Sequence, residues 1–182
     1  MKNPSFYVIT GASGAGKSTL VAALQDSGFS TFPEAALAIL QEQQESGGTI
    51  LPWTDRPAFL EEVLARNVLN HQAAHWMAQP VFFDRGIPEC LAWLQLSGVE
   101  LERRHIAAAA QYRYAPTVFV AEPWPEIYVQ NAERRASFER AARSFEPTVE
   151  AYTDAGYRTT VLPKISLQER VAFVLDAVRR SV

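Results

Sequence analysis

One short segment near the N-terminus constrains the fold more than any other part of the chain. Residues 11–18 read Gly-Ala-Ser-Gly-Ala-Gly-Lys-Ser and directly follow an apolar, strand-like run at residues 6–10. The pattern G-x-x-x-x-G-K-[S/T] between a strand and a helix is typical of a phosphate-binding loop, because its glycines let backbone N–H groups wrap around an anion. Lys17 is then expected to reach the β- and γ-phosphates, and Ser18 to offer its hydroxyl to Mg²⁺. The segment therefore predicts binding of ATP or GTP.

The predicted nucleotide contacts all come from this one continuous segment. They are Gly11, Ala12, Ser13, Gly14, Ala15, Gly16, Lys17, Ser18 and Thr19. A merely flexible glycine- and serine-rich loop is the alternative, and the strand before the segment and the helix after it argue against that interpretation. The sequence holds no Asn-Lys-x-Asp segment of the kind that reads a guanine base. That absence counts against a GTPase and leaves ATP, with Mg²⁺, as the expected cofactor.

The bulk composition narrows the class of protein. With 182 residues, 48% of them hydrophobic and 20% charged, the chain is expected to form one domain with a full core. A net charge of −3 gives no long-range attraction to nucleic acid or to an anionic membrane, so neither partner is expected. The single cysteine excludes an internal disulfide and fits a reducing compartment, which makes cytoplasm the expected location. The apolar run before the glycines is too short for a signal-peptide core or a membrane span.

Strand-like and helix-like segments alternate along the whole chain. Apolar runs predict strands at residues 6–10, 29–32, 81–84, 117–121 and 158–162. Apolar spacing and helix-forming residues predict helices at residues 17–27, 34–45, 58–77, 88–96, 99–112, 132–153 and 167–179. Such alternation predicts a parallel sheet covered by helices on both faces, with ligands bound beyond the carboxyl ends of the strands.

The long helix at residues 58–77 is the one for which the spacing predicts a particular buried face. The residues expected on this buried face are Phe59, Leu60, Val63, Leu64, Val68 and Leu69.

Asp84 and Arg85 stand where the third predicted strand ends. A carboxylate at this point is where a phosphate-loop enzyme places its second magnesium-binding group, so Asp84 is a candidate metal ligand together with Ser18. Asp84 also suits a turn into the helix begun by Pro88, and both interpretations can hold together. Arg85 would project into the same cleft, where its fork of donors suits a phosphate or a carboxylate. An ordinary surface salt bridge is the alternative for Arg85.

Glu34 follows the second predicted strand through Pro33, so it should also lie near the carboxyl edge of the sheet. A carboxylate there could accept a proton from a substrate hydroxyl, which makes Glu34 a candidate general base. A favourable charge on the first turn of the following helix explains the same residue equally well. The sequence leaves both interpretations open.

Residues 122–140 are predicted to form a lid. The stretch opens with Pro123, Trp124 and Pro125 and continues into a segment rich in arginine. Arg134 and Arg135 are candidates for cations brought onto the transferring phosphates. In the alternative interpretation the segment is a solvated helix. Ordinary pairing with nearby glutamates then accounts for most of its arginines. Trp124 could stack on a flat base or could pack as an edge of the core.

Two histidines and the single cysteine belong to residue types that often bind metals or act as nucleophiles, but the sequence around them supports neither role. His71 and His75 share a helix face, but Gln72 occupies the position of the catalytic glutamate of a zinc-protease helix, so metal binding is not expected. Cys90 has no neighbouring histidine or lysine in the sequence, so it is interpreted as a small buried hydrophobe rather than a nucleophile.

Taken together, these segments resemble the P-loop kinase superfamily, and within it a small AAA-labelled ATPase-like group allied to the ribosylnicotinamide kinase domain. The resemblance covers nearly the whole chain. It is carried by residues 11–18, Pro33-Glu34, Asp84-Arg85-Gly86, residues 131–135 with Phe138-Glu139, and Leu162-Pro163. The resemblance implies a three-layer α/β/α fold whose five parallel strands have the order 2-3-1-4-5, with a small helical lid.

The resemblance also implies roles for individual residues. In similar nucleoside and nucleotide kinases an acidic residue and an arginine after the third strand contact the acceptor and the phosphates, which maps onto Asp84 and Arg85. Lid arginines map onto Arg134 and Arg135. Ring-forming AAA ATPases instead carry an acidic pair at the third strand and a helical C-terminal subdomain, so a hexameric unfoldase is not expected here.

The function expected from these observations is a small-molecule kinase that transfers the γ-phosphoryl of Mg-ATP to a nucleoside-like or other small acceptor. Its catalytic residues would be Lys17, Glu34, Asp84, Arg85, Arg134 and Arg135. The main alternative is a nucleotide-dependent regulator or slow ATPase without a small acceptor. A polynucleotide end kinase is a third possibility, which the acidic charge balance disfavours. The sequence decodes neither the acceptor nor the oligomeric state.

Overall fold

The computed structural model describes residues 5–129 and 137–181. Within them, one sheet is built from β1 (Phe6–Gly11), β2 (Ser30–Phe32), β3 (Val81–Asp84), β4 (Thr117–Ala121) and β5 (Arg158–Val161). All neighbouring strands run parallel, in the order β2-β3-β1-β4-β5. The predicted fold class and strand order are confirmed.

The helices lie on both faces of this sheet. They are α1 (Lys17–Asp26), α2 (Ala35–Ser46), α3 (Arg56–Ala74), α4 (Ile87–Leu96), α5 (Arg103–Gln111), α6 (Phe138–Arg143), α7 (Phe145–Asp154) and α8 (Leu167–Arg179), with a short 3₁₀ turn at Pro125–Ile127. None of the helices in the described ranges is long and apolar enough to cross a membrane.

Two apolar cores cover the two faces of the sheet. Successive side chains of β1 point to opposite faces, so Phe6 and Val8 enter one core and Tyr7 and Ile9 enter the other. The first core is completed by α2, α3, α4 and α7, and the second by α1 and α8. Because β1 lies between β3 and β4 with both faces covered, all six of its residues are buried. The loop after β1 is therefore attached to the most rigid part of the sheet.

The predicted helix at residues 132–153 is not one helix. Residues 130–136 lie outside the described part of the chain, and the rest forms α6 and α7 with a break at Ser144. Pro147 explains the break, because it stands in the first turn of α7 and has no N–H to continue a helix from α6. The separate start of α6 is fixed by Ser137, whose side chain accepts a hydrogen bond from Arg140 N.

The predicted buried face of α3 is correct for Phe59, Leu60, Val63 and Leu64, and Val68 packs against the same core. The prediction was wrong for Leu69. Leu69 is 58% exposed, whereas the polar residues Asn67 and His71 are buried. A ring nitrogen of His71 lies 2.9 Å from the Arg113 carbonyl oxygen, and Asn67 Nδ2 donates to Cys90 Sγ at 3.2 Å. These two contacts satisfy polar groups on the inward face, which the search for apolar spacing missed.

Candidate active site

The phosphate-binding loop is held against the end of β4. Gly11 has a φ of 118°, and a Cβ placed on it would collide with the carbonyl oxygen of Ala121. Ala12 N donates to that same oxygen at 2.9 Å. Only glycine fits where the chain leaves β1, because both the left-handed backbone and the close approach to β4 exclude a side chain. The loop therefore starts from a fixed point beside the central strand.

Lys17 is the first residue of α1, and its side chain is almost completely buried beneath the loop. Its Nζ donates to the Ala12 carbonyl oxygen at 2.7 Å. Burial lowers the pKa of Lys17 to about 8, with the nearby guanidinium of Arg85 as the second cause. The surroundings therefore disfavour the cation until an anion is added, which is the setting expected for a phosphate-binding lysine.

Ser18 and Asp84 are brought together across the sheet. Ser18 Oγ donates to Asp84 Oδ2 at 2.6 Å. Asp84 is only 2% exposed, and within the described residues its Oδ1 has no hydrogen-bond partner. Burial raises the pKa of Asp84 to about 6, with the carboxylate of Glu34 as the second cause. A hydroxyl beside an under-coordinated carboxylate is a set of hard oxygen donors, and such donors fit Mg²⁺.

No group of three or more His, Cys, Asp or Glu side chains within residues 5–129 and 137–181 could by itself hold a metal ion. Mg²⁺ needs no such protein cage, because it is usually held by one or two carboxylates together with phosphate oxygens. Ser18 and Asp84 thus fit a metal that arrives with the nucleotide.

Arg85 lies between two carboxylates. Its NH1 donates to Glu89 Oε2 at 2.8 Å, and its Nε lies 3.1 Å from Glu34 Oε1. Burial would lower the pKa of Arg85, but the carboxylates of Glu34, Glu89 and Asp84 outweigh that cost and raise it. Arg85 has a φ of 71°, a left-handed conformation that is uncommon for any residue except glycine. Arg85 therefore forms a partly buried salt bridge rather than the ordinary surface bridge of the alternative interpretation, and its contact with a phosphate stays a prediction.

Glu89 is a residue of this site that the sequence analysis missed. It is 2% exposed and accepts hydrogen bonds from Thr10 Oγ1 at 2.8 Å, Gly86 N at 3.0 Å and Tyr152 Oη at 3.2 Å, besides the one from Arg85. The sequence did carry a local signal, because Glu89 is four residues after Arg85 and stands in the first turn of α4. Its contacts to Thr10 and Tyr152 had no sequence signal.

Two cavities meet at Glu34. The nucleotide cavity, of about 870 Å³, extends from the loop to the start of α8. It is lined by Ser13, Gly14, Gly16, Lys17, Ser18, Thr19, Glu34, Leu37, Trp124, Ile127, Val129, Lys164, Ile165, Ser166, Leu167 and Arg170. A second cavity, of about 190 Å³, shares Glu34 with the first and also includes Arg85; it is called the acceptor cavity below, after the role proposed for it. It is lined by Glu34, Ala35, Ala36, Pro52, Arg56, Phe59, Leu60, Val63, Asn67, Arg85, Glu89, Cys90, Trp93 and Ser144.

The predicted lid is described only in part. Trp124 lines the nucleotide cavity, and the guanidinium carbon of Arg170 lies 5.5 Å from the centre of its ring. Arg134 and Arg135 lie outside the described residues, so their predicted role stays a prediction.

Cys90 is buried behind the acceptor cavity, and burial raises the pKa of its thiol. His71 packs edge-to-face against Phe6, with ring centroids 5.1 Å apart, and burial lowers its pKa. Both environments disfavour the charged form of the side chain, as expected for residues that serve packing.

A five-stranded parallel sheet in this order, with a phosphate-binding loop after its central strand, defines the P-loop kinase fold. The model of an AAA domain family matches residues 6–170, and the chain belongs to that family. No curated protein sequence matches the chain.

Solved structures share the fold at low sequence identity. Deoxyadenosine kinase from M. mycoides, with dCMP and dCDP bound, has a TM-score of 0.57 at 15% identity over 96% of this chain and 98% of its own. Shikimate kinase from Acinetobacter baumannii, in complex with shikimate, has a TM-score of 0.56 at 14% identity over 98% and 94% of the two chains. NadR protein in complex with NR has a TM-score of 0.69 at 16% identity, over 98% of this chain but 51% of its own. At these identities the likeness establishes the fold alone.

Proposed function

We propose that the protein is a kinase that transfers the γ-phosphoryl group of Mg-ATP to a hydroxyl group of a small, nucleoside-like acceptor. The observation that carries the proposal is the position of Glu34, which lines both the nucleotide cavity and the acceptor cavity. A protein that only binds or hydrolyses a nucleotide needs no second cavity beside its phosphate-binding loop. Kinases of a nucleoside and of shikimate share the fold, which supports the same class of reaction.

On the nucleotide side, Lys17 and the backbone amides of residues 11–19 would bind the phosphates. Ser18 and Asp84 would hold Mg²⁺, which neutralises charge on the phosphate oxygens. The buried, unpartnered Oδ1 of Asp84 supports this assignment, because a buried carboxylate oxygen is costly without a partner. Asp84 must be ionised to serve as a ligand, so its raised pKa makes metal binding weaken below about pH 6.

On the acceptor side, Glu34 would accept the proton of the acceptor hydroxyl. The acceptor oxygen would bond to the γ-phosphorus as the bond to the bridging oxygen breaks, and ADP would leave with that electron pair. Arg85, held beside Glu34, would stabilise the charge on the transferring group. Arg134 and Arg135 are proposed as further cations from a lid at residues 122–140 of the single domain.

The lining of the acceptor cavity supports a flat acceptor that also carries polar groups. Phe59 and Trp93 supply aromatic rings, and Val63 adds an aliphatic wall. Asn67 and Arg85 supply polar groups among them. A cavity of about 190 Å³ suits one small metabolite and not a polymer end.

The test is ADP formation from Mg-ATP with single acceptors, among them deoxyadenosine and other nucleosides, and shikimate as a non-aromatic hydroxyl acid. We expect turnover that depends on a nucleoside-like acceptor. In Glu34→Gln, kcat should fall by about 10²–10⁴ with little change in the KM for ATP, because a general base acts in the chemical step. Glu42→Gln is the matched control, since Glu42 lies on the same helix in an exposed pair with Arg66. Acceptor-independent turnover, or nucleotide binding without turnover, would instead support the regulatory ATPase.

A further inference from the structure

Arg170 is a buried arginine at the nucleotide cavity, on the last helix of the chain. It lies on α8, is 4% exposed and lines the cavity. Its NH1 donates to the Ala15 carbonyl oxygen at 3.1 Å, and its guanidinium carbon lies 5.5 Å from the centre of the Trp124 ring. Arg170 therefore contacts the phosphate-binding loop and the segment after β4 at once.

The loop is shaped around this guanidinium. Gly16 has a φ of 76°, and a Cβ placed on it would lie 2.9 Å from Arg170 NH1. Ala15 and Gly16 belong to the segment whose amides are assigned to phosphate binding. The guanidinium thus packs directly against the backbone that would surround a phosphate.

The charge of Arg170 has no counterpart in the protein's described ranges. There, no carboxylate oxygen lies within 4.0 Å of its guanidinium, and its buried Nε has no hydrogen-bond partner. Arg85, by contrast, has the carboxylates of Glu34 and Glu89 at 3.1 Å and 2.8 Å. Burial lowers the pKa of Arg170, and no neighbouring charge opposes that effect. Arginine stays protonated even so, and a buried cation without an opposite charge is costly unless a ligand supplies one.

We propose that Arg170 is a positioning residue for the phosphates of the nucleotide, which holds the Ala15–Gly16 segment and supplies a positive charge that bound phosphates compensate. The inference rests on the proposed function to the extent that the loop binds a nucleotide. It does not depend on which acceptor is phosphorylated, nor on whether phosphoryl transfer takes place.

The experiment compares Arg170→Met with wild type, because methionine keeps most of the buried volume and removes the charge. Arg179→Met is the matched control, since Arg179 lies on the same helix but is exposed and paired with Asp176. Binding is measured by calorimetry for three probes in the presence of Mg²⁺, namely inorganic tripolyphosphate, ATP and adenosine. Thermal unfolding is measured with and without each probe.

We expect Arg170→Met to weaken binding of tripolyphosphate and of ATP by a similar factor, about tenfold or more, and to leave adenosine unchanged. The unliganded variant should melt no lower than wild type, because a buried unpaired charge has been removed. With an active acceptor, the KM for ATP should rise while kcat at saturating ATP is kept. Arg170→Lys, which keeps the charge, should retain most of the tripolyphosphate affinity.

Four results would overturn the proposal. Unchanged tripolyphosphate affinity would exclude a role at the phosphates. A loss of affinity confined to ATP would show that Arg170 acts on the base of the nucleotide instead. A lower melting temperature with an unchanged shift on adding tripolyphosphate would make Arg170 structural. If Arg170→Met does not fold, Arg170→Lys and Lys17→Met are compared instead. The proposal is also overturned if Arg170→Lys loses as much tripolyphosphate affinity as Lys17→Met does. Failure of wild type itself to bind tripolyphosphate and ATP would instead refute the proposed function.

Discussion

The two cavities that meet at Glu34 are built in different ways. The phosphate end of the nucleotide cavity comes from one continuous stretch, Ser13 to Thr19, whose conformation is fixed by glycines. The acceptor cavity is lined by side chains from α2, α3, α4 and the junction between α6 and α7. Phosphate recognition is thus encoded locally, whereas acceptor recognition depends on how four distant segments pack. This difference explains why the sequence predicts the nucleotide but not the acceptor.

The charges at the two cavities also differ. Lys17 and Arg170 face the nucleotide cavity, and burial lowers the pKa of both. At the acceptor cavity Arg85 is already paired with Glu34 and Glu89. The nucleotide cavity is therefore prepared for an anion, and the acceptor cavity is closer to charge balance.

The largest effect is expected from Lys17→Met, which removes a buried cation from the nucleotide cavity. Turnover should fall by about 10²–10³ with every acceptor, because a preorganised cation is lost from the transferring phosphate. Lys164→Met is the control, since Lys164 lines the same cavity but is 41% exposed and pairs with Glu122. Steady-state rates that stay within tenfold of wild type would refute the assignment of Lys17.

Glu89→Gln removes the charge of a carboxylate that lines the acceptor cavity and pairs with Arg85. We expect a loss of about 3 kcal/mol in the free energy of unfolding, because the partly buried Arg85 cation loses the buried one of its two carboxylates. The measurement is urea unfolding, with Glu42→Gln as an exposed-pair control that should change little. Equal losses in the two variants would contradict the buried network.

Trp124→Leu tests whether Trp124, which lines the nucleotide cavity, stacks on the base of the nucleotide. The affinity for ATP should fall about tenfold, since stacking on an aromatic ring is worth about 1–3 kcal/mol per base, while tripolyphosphate binds as before. Quenching of tryptophan fluorescence by ATP should disappear in the same variant. Trp76→Leu serves as the control, because Trp76 is 93% exposed. If quenching persists without Trp124, the base binds elsewhere.

Two truncations of aliphatic side chains test whether the two cavities bind their substrates independently. Val63→Ala enlarges the acceptor cavity and should change the KM of the acceptor a few-fold without changing that of ATP. Leu37→Ala, in the nucleotide cavity, should do the reverse. Steady-state titration of both substrates is the measurement, and a parallel change in both KM values in either variant would show that the cavities are not independent.

The smallest effect is the uptake of up to one proton when the nucleotide binds. Burial holds the pKa of Lys17 at about 8, below its ordinary 10.5, so the folded protein binds fewer protons than the unfolded chain between these values. The unliganded protein should therefore gain stability as the pH rises through that window. Bound phosphates restore the charged form, so Mg-ATP binding should take up almost one proton near pH 9 and little near pH 7.

Calorimetry in two buffers of different ionisation enthalpy measures this uptake. Lys164→Met should take up the proton as wild type does. Equal uptake near pH 7 and near pH 9 would show that Lys17 is not the group that titrates.

Much of the fold could be predicted because its determinants are local. The strand at Val81–Asp84 is a short apolar run, and its predicted bounds are confirmed. The same holds for Thr117–Ala121 and for the closing helix Leu167–Arg179. In each case the residues that define the element are neighbours in sequence, so apolar spacing is sufficient.

One error arose where neighbours in space, rather than in sequence, decide which residues are buried. Apolar spacing placed Leu69 on the buried face of α3, yet Asn67 and His71 are buried because Cys90 and the Arg113 carbonyl supply their partners. The long helix at residues 132–153 was wrong for a local reason that could have been found, since Pro147 cannot continue a helix.

By itself the sequence determined the phosphate-binding loop, the alternation of strands and helices, and Asp84 and Arg85 at the end of a strand. These follow from local backbone preferences and from the rule that parallel strands present their carboxyl ends at one edge. Only the tertiary structure decided that Tyr152 on α7 donates to Glu89, and that Arg170 reaches the loop from the last helix. Both contacts depend on elements that only the sheet topology brings together, because the charge on a side chain says nothing about which distant group will meet it.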